Sequence, residues 1–185
     1  MRDPGEAPEQ FAAYVAPHLE SLFRVAHRLL RNTPDAQDLV QDTCLSACGR
    51  LNELAAADSP IRWLLTVLHN RFIDGQRRRD RSPFVAAEEV EEFDQLPSED
   101  FDPEEVAQQF QDEHALERAF LLLSGTQRTL LSLRAEGYEL PEIEAITGVE
   151  RKVLSARLNR ARVSLARHLM EQKGEATGRR AGSRV

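Results

Sequence analysis

Apolar residues recur every three or four positions along most of this chain, and that spacing is typical of amphipathic helices. Before residue 81 the pattern predicts three helices, over about 11–30, 34–54 and 61–79. A stop and restart separates the first two helices, because Thr33 can cap the second and Pro34 suits a first helical turn. The three apolar stripes together predict an N-terminal helical bundle.

The same periodicity returns after residue 104 and predicts a second helical unit. Ser124 followed by Gln127 fits a capping box at a helix start, and Gly148 stands where a helix C-terminal glycine is expected. A short helix over 140–147, this glycine turn and a long basic helix over 150–172 form a helix-turn-helix pattern. The sequence therefore predicts an all-α protein made of two small helical domains.

Charge is strongly segregated along the 185 residues, although the net charge is only −7. Segment 61–81 has six arginines against two aspartates, and segment 150–173 has seven basic residues against two glutamates. Between them, 82–117 carries thirteen acidic residues and no lysine or arginine. We therefore expect 82–107 to be an acidic flexible linker between domains at 10–81 and 108–173, and 174–185 to be a disordered tail.

The composition and motifs exclude several classes of protein. No apolar run approaches the roughly 20 residues of a membrane-spanning helix, and the polar first ten residues lack a signal-peptide core, so we expect a cytoplasmic protein without membrane insertion. No P-loop, zinc-protease or dinucleotide motif is present, so we expect neither catalysis nor a cofactor. Cys44 and Cys48 are either two small apolar residues or a redox pair. No second Cys or His pair stands at the spacing of metal ligands, so we expect no metal site.

Three segments carry a recognisable combination of residues. They are Asp35-Ala36-Gln37-Asp38-Leu39-Val40-Gln41-Asp42-Thr43, Trp63-Leu64-Leu65-Thr66-Val67-Leu68-His69-Asn70-Arg71-Phe72-Ile73-Asp74 with its Arg77-Arg78-Arg79 end, and Ser155-Ala156-Arg157-Leu158-Asn159-Arg160-Ala161-Arg162. In this order, across an acidic linker, they resemble the extracytoplasmic-function group of the sigma-70 family of bacterial RNA polymerase sigma factors. The resemblance covers about residues 10–80 and 113–170.

The resemblance implies that the second helix docks on the clamp helices of the polymerase β′ subunit. Asp38, Gln41 and Asp42 would form the contact, because short polar groups can accept hydrogen bonds from a basic partner. A solvated helix face with a favourable charge pattern is the alternative. The β flap of core RNA polymerase, promoter DNA and an anti-sigma factor are the further partners that the resemblance implies.

The resemblance also implies two DNA-reading helices. The third helix would read the minus-ten promoter element, where arginines hold phosphates and amides or aromatic rings hold unstacked bases. The last helix would read the minus-thirty-five element in the major groove. The implied DNA-binding residues are Arg62, Asn70, Arg71, Asp74, Arg77, Arg78, Arg79, Arg151, Lys152, Ser155, Arg157, Asn159 and Arg160. Trp63 is either a base contact or a core anchor.

The linker and the last unit leave alternatives open. Thirteen acids suit a nucleic-acid mimic that threads the basic polymerase channel, as in the family, or a spacer kept soluble by self-repulsion. The last unit departs from the family pattern at four positions. The usual Thr and Lys are replaced by Val153 and Ser155, a small residue by Glu144, and the usual polar cap by Glu139. Promoter preference and duplex affinity therefore stay open.

Two rival functions are a sigma mimic that sequesters an anti-sigma factor and a stand-alone helix-turn-helix regulator. The mimic would not need the basic end of the third helix. The regulator would leave the acidic linker and the polar face at Asp38, Gln41 and Asp42 unexplained.

Overall fold

The computed structural model describes the backbone of residues 6–80 and 113–182, and the side chains of 9–79 and 114–172. Within these residues every regular element is a helix and no strand is found, which confirms the all-α prediction. The elements in chain order are α1 (Glu6–Val15), a 3₁₀ turn (Ala16–His18), α2 (Leu19–Leu30), α3 (Thr33–Cys48), α4 (Leu51–Ala56), α5 (Pro60–Asp80), α6 (Glu113–Leu121), α7 (Gly125–Ala135), α8 (Leu140–Thr147) and α9 (Arg151–Gly182).

The first two predicted helices are each divided in the structure. The turn Ala16–His18 interrupts the first, and Pro17 within it has no N–H to continue the helical ladder. The second ends early, at Cys48, and is followed by the separate short helix α4. The apolar periodicity did not show these breaks, because the pieces on either side pack over the same core.

Side chains cap the starts of α3 and α7. Asn32 caps α3, because its Oδ1 accepts from the Asp35 N–H at 3.0 Å; the expected cap, Thr33, is already the first helical residue. Ser124 and Gln127 form the predicted capping box, with N–H···O distances of 3.3 and 3.0 Å. The capping box was therefore correct and the Thr33 cap was wrong by one residue.

Helices α8 and α9 form the predicted helix-turn-helix. Gly148 ends α8 in the left-handed region, with φ of +71°, as expected for a helix C-terminal glycine. Helix α9 is longer than predicted: its backbone stays helical to Gly182, where a disordered tail was expected from 174. The extension contains the strong helix formers Glu, Ala and Arg, and its internal glycines each cost only about 1 kcal/mol.

The two helical units share one hydrophobic core. Helix α5 packs on α7 and α8, and α2 packs on α7. Leu29 and Phe72 of the first unit belong to the same buried cluster as Leu130 and Ile143 of the second. The predicted linker, 82–107, lies outside the described residues, so the domain boundaries stay predictions.

Candidate polymerase- and DNA-binding surfaces

One side of α3 carries every residue assigned to polymerase docking. Asp38, Gln41 and Asp42 are all exposed, whereas Leu39 and Thr43 face inward and are buried. Residues three and four apart lie on the same side of a helix. The structure therefore brings the three polar residues together on one accessible surface.

The same surface holds Leu45, which sequence reasoning missed. Leu45 is 64% exposed and follows Gln41 and Asp42 by four and three positions. An exposed apolar side chain beside polar groups has the make-up of a protein contact surface. The helical spacing could have revealed it. We call Asp38, Gln41, Asp42 and Leu45 the docking face.

Helix α5 separates a buried stripe from an exposed polar side. Leu64, Leu68 and Phe72 are buried, and Arg62 is half-buried at the helix start. The exposed side carries the remaining residues assigned to the minus-ten element, which are Asn70, Arg71, Asp74, Arg77, Arg78 and Arg79. This polar side stays accessible even though α5 packs on the second unit.

Arg71 connects the exposed side of α5 to α3. Its Nε and Nη2 atoms donate to the Ser46 hydroxyl at 3.1 and 2.7 Å, and that hydroxyl donates to the Asp42 carbonyl at 2.8 Å. The guanidinium therefore has a fixed position beside the docking face. Sequence reasoning missed this link, since 25 residues separate the two partners.

Trp63 is half-buried and packs against the core cluster, which favours the anchor interpretation. The Arg50 guanidinium lies 4.9 Å from the centre of its ring, a cation–π distance. Arg50 would therefore compete with a base that stacked on the same side of this ring.

Helix α9 presents most of the residues assigned to the minus-thirty-five element. Leu154 and Leu158 are buried against the rest of the unit. The exposed members of the set are Arg151, Lys152, Ser155, Asn159 and Arg160, and Arg157 is half-buried.

Acidic side chains accompany the two basic residues at the start of α9. Glu144 Oε1 accepts from the Arg151 N–H at 2.9 Å, and Glu144 Oε2 lies 3.7 Å from Arg151 Nε. Lys152 Nζ lies 2.6 Å from Glu150 Oε2. These carboxylates reduce the positive potential of the surface that would face DNA.

A carboxylate of the second unit is held by two arginines of the first. Glu136, at the end of α7, has a side chain only 8% exposed. Its Oε2 lies 3.1 Å from Arg24 Nε and its Oε1 lies 3.0 Å from Arg28 Nε, both on α2. The hydrogen bond and charge of Glu136 raise the pKa of the Arg24 guanidinium. We call these three residues the inter-unit clasp.

Two further arginines lie in this contact between the units. Buried Arg128 donates through Nη1 to the Leu29 carbonyl at 3.1 Å and lies 5.1 Å from the centre of the Phe72 ring. Arg31 ends α2 with φ of 50° and lies 5.4 Å from the Phe120 ring centre. The contact is thus built from arginines and aromatic rings as well as aliphatic side chains.

His69 is buried on the side of α5 that faces α7. Its Nδ1 lies 3.2 Å from Thr129 Oγ1, and that hydroxyl donates to the Gly125 carbonyl at 3.0 Å. A hydroxyl has one proton, so Nδ1 must donate to Thr129. Burial, and secondarily the charge of Arg77, lowers the pKa of His69 to about 4. The imidazole is therefore neutral at pH 7.

Other kinds of site find little support in the described part of the chain. Over 6–80 and 113–182, no helix is long and apolar enough to cross a membrane. Among the side chains described, those of 9–79 and 114–172, no group of three or more His, Cys, Asp or Glu is placed to hold a metal ion. Cys44 and Cys48 are free thiols, and burial raises the pKa of Cys44, which disfavours the reactive thiolate.

The sequence is similar to known transcription proteins over both helical units. Residues 14–82 match the family described as Sigma-70 region 2. The ECF RNA polymerase sigma factor SigE of Mycolicibacterium smegmatis is 30% identical over 87% of this chain, which spans 62% of that relative's length. The RNA polymerase sigma factor YlaC of Bacillus subtilis is 28% identical over 95% of this chain and 98% of its own.

The fold is also similar to a solved sigma factor. RpoE of Bartonella quintana, in complex with the anti-sigma factor NepR, has a TM-score of 0.63 and is 27% identical, over 86% of this chain and 96% of RpoE. The family match, the relatives and the solved structure agree with the motifs on α3, α5 and α9. Together they support membership of this chain in the extracytoplasmic-function group of the sigma-70 family of RNA polymerase sigma factors.

Proposed function

We propose that this protein binds core RNA polymerase and directs it to promoters, and that the two helical units divide the work. The docking face of α3 would contact the β′ clamp helices, α5 would open the minus-ten element, and α9 would read the minus-thirty-five element while its unit contacts the β flap. Nucleotide polymerisation would belong to the core enzyme, so the chain needs no catalytic group or cofactor of its own. A cytoplasmic location, where promoter DNA and polymerase meet, is part of the proposal.

The observation that carries the proposal is the docking face. Asp38, Gln41 and Asp42 are exposed together with Leu45, and none of them is needed to cover the core. A stand-alone DNA-binding regulator would leave this surface unexplained. The anti-sigma partner of the solved RpoE supports an anti-sigma factor as a further partner of this chain.

The contact between the units has a consequence for promoter binding. The two promoter elements are named for positions 25 base pairs apart, or about 85 Å at 3.4 Å per base pair. Helices α5 and α8 are in direct contact, and α9 follows α8 after a three-residue turn. The two reading helices therefore lie too close together to reach both elements. Segment 81–112 has 32 residues and could span at most about 105–115 Å when extended, so separated units could reach both.

The test is polymerase binding and transcription by a docking-face variant. We expect Asp38→Ala with Gln41→Ala to weaken co-purification with core polymerase and lower promoter-dependent transcription, without loss of helicity. The matched control is Asp58→Ala, which removes an exposed aspartate outside the docking face.

Two outcomes would favour the rival functions. Undiminished polymerase binding by the double variant would remove the main support for docking. Tight and specific duplex binding by the protein without polymerase, at physiological salt, would favour the stand-alone regulator.

A further inference from the structure

Glu144 joins the two helices of the helix-turn-helix through both its backbone and its side chain. Its carbonyl accepts from the Gly148 N–H at 2.9 Å and so closes the end of α8. Its carboxylate reaches across the turn and accepts from the N–H of Arg151, the first residue of α9. One residue therefore fixes the end of the supporting helix and the start of the reading helix.

The carboxylate changes what the start of α9 can bind. The unpaired N–H groups at a helix start, with the positive end of the helix dipole, form a ready site for a DNA phosphate. Glu144 already uses one of these donors, and its negative charge repels a phosphate at the same place. The start of α9 is consequently a poor phosphate-binding site.

The same carboxylate restrains the Arg151 side chain. Glu144 Oε2 lies 3.7 Å from Arg151 Nε, while the Arg151 side chain remains 62% exposed. Attraction at Nε leaves the two terminal nitrogens available, and these are the atoms that bind guanine O6 and N7 together. A side chain restrained before binding also loses less rotamer entropy when it meets its base.

We infer that Glu144 is a specificity-determining residue that makes Arg151 a reader of one base in the minus-thirty-five element and not a phosphate contact. This inference rests on the proposed function, since it assumes that α9 lies in the major groove of promoter DNA. Glu144 itself acts through Arg151 and is a positioning residue.

The experiment measures promoter binding by the complete protein with core polymerase, over a set of promoters that vary each position of the minus-thirty-five element. Arg151→Ala identifies the position that Arg151 reads, where we expect wild-type discrimination of about tenfold or more to be lost. Glu144→Ala should reduce discrimination at that position to about two- to threefold and strengthen binding to mismatched promoters about threefold, because a repulsive charge is gone. Combining the two changes should remove no more discrimination than Arg151→Ala alone.

Glu144→Gln separates the charge from the helix cap, because the amide oxygen can still accept from the Arg151 N–H. We expect discrimination to fall nearly as far as in Glu144→Ala, while circular dichroism shows an unchanged helix content. Glu171→Ala, which removes an equal charge from the distant part of α9, should leave discrimination unchanged.

The possible failures point to different errors. If the wild type does not discriminate among minus-thirty-five sequences at all, the proposed role of α9 is wrong. If Arg151→Ala loses discrimination and either Glu144 variant keeps the wild-type value, α9 reads DNA and the inference about Glu144 is overturned. If Arg151→Ala changes no position, the inference is overturned as well.

Discussion

The inter-unit clasp gives a direct way to shift this protein from docked to separated units. Glu136→Gln keeps the shape of the side chain and removes its charge, so each of Arg24 and Arg28 loses a carboxylate partner. The separated state does not contain this contact, so the substitution should destabilise only the docked state. We therefore expect a larger share of separated molecules.

The size of the shift follows from burial. The Glu136 side chain is 8% exposed, which strengthens its contacts, but the arginine side chains are 46% and 41% exposed, so water can solvate them again once the carboxylate is gone. The effect should therefore fall between that of a buried charged hydrogen bond and that of a surface ion pair. We expect the ratio of separated to docked molecules to rise about tenfold.

Single-molecule energy transfer between labels on the two units measures this ratio. Glu53→Cys on α4 and Leu122→Cys after α6 are exposed positions for the labels, in a chain with Cys44→Ala and Cys48→Ser. These four changes are present in every sample that is compared, so they cancel in the ratio.

The matched control is Glu20→Gln. Glu20 also pairs with Arg24, at 2.9 Å, but both residues lie on α2 and the pair does not bridge the units. We expect its effect on the ratio to stay below about twofold, as for an exposed helical pair. Equal ratios for the Glu136 and Glu20 variants would refute the claim that the clasp holds the units together.

Two other predictions concern α5. Asn70→Ala should change which promoters are opened, because an amide can read a base edge. Replacing Arg77 to Arg79 with Ala should instead weaken opening at all promoters about equally and make the salt dependence of opening shallower. Transcription from a promoter library at two salt concentrations checks both effects, and the reverse pattern would exchange the two roles. Burial lowers the pKa of His69 to about 4 in the folded protein, against 6.5 for an ordinary histidine. The unfolded chain therefore binds a proton that the folded protein does not, so the free energy of unfolding is at its full value above about pH 6.5 and decreases as the pH falls towards 4. When the pH is lowered from 7 to 5, protonation of His69 should reduce the free energy of unfolding, measured with urea, by about 2 kcal/mol. His69→Gln should remove that part of the pH dependence. The control His114→Gln, at an exposed histidine, should retain it.

The exposure of the residues assigned to polymerase and DNA binding could be predicted from helical spacing alone. Asp38, Gln41 and Asp42 face solvent because Leu39 and Thr43, on the other side of the same helix, face the core. The same reasoning held for most of the polar residues of α5 and α9. It missed Leu45, which shares a helix side with Gln41 and Asp42, because only polar residues were considered for that surface.

Helix ends were harder to place than helix faces. The capping box at Ser124 and the glycine at Gly148 were correct, because each depends only on residues a few positions away. The breaks at Pro17 and after Cys48 were missed, since the apolar pattern continues across both.

The sequence by itself determined that this protein is helical, that its acidic and basic residues are segregated, and which side of each helix is polar. Only the tertiary structure decided that the two helical units share a core and that Glu136 meets Arg24, 112 positions earlier in the chain. Periodicity within a helix specifies one face as apolar, and it does not specify which other face will cover it. That choice depends on the shapes and charges of surfaces that meet only after the helices have formed.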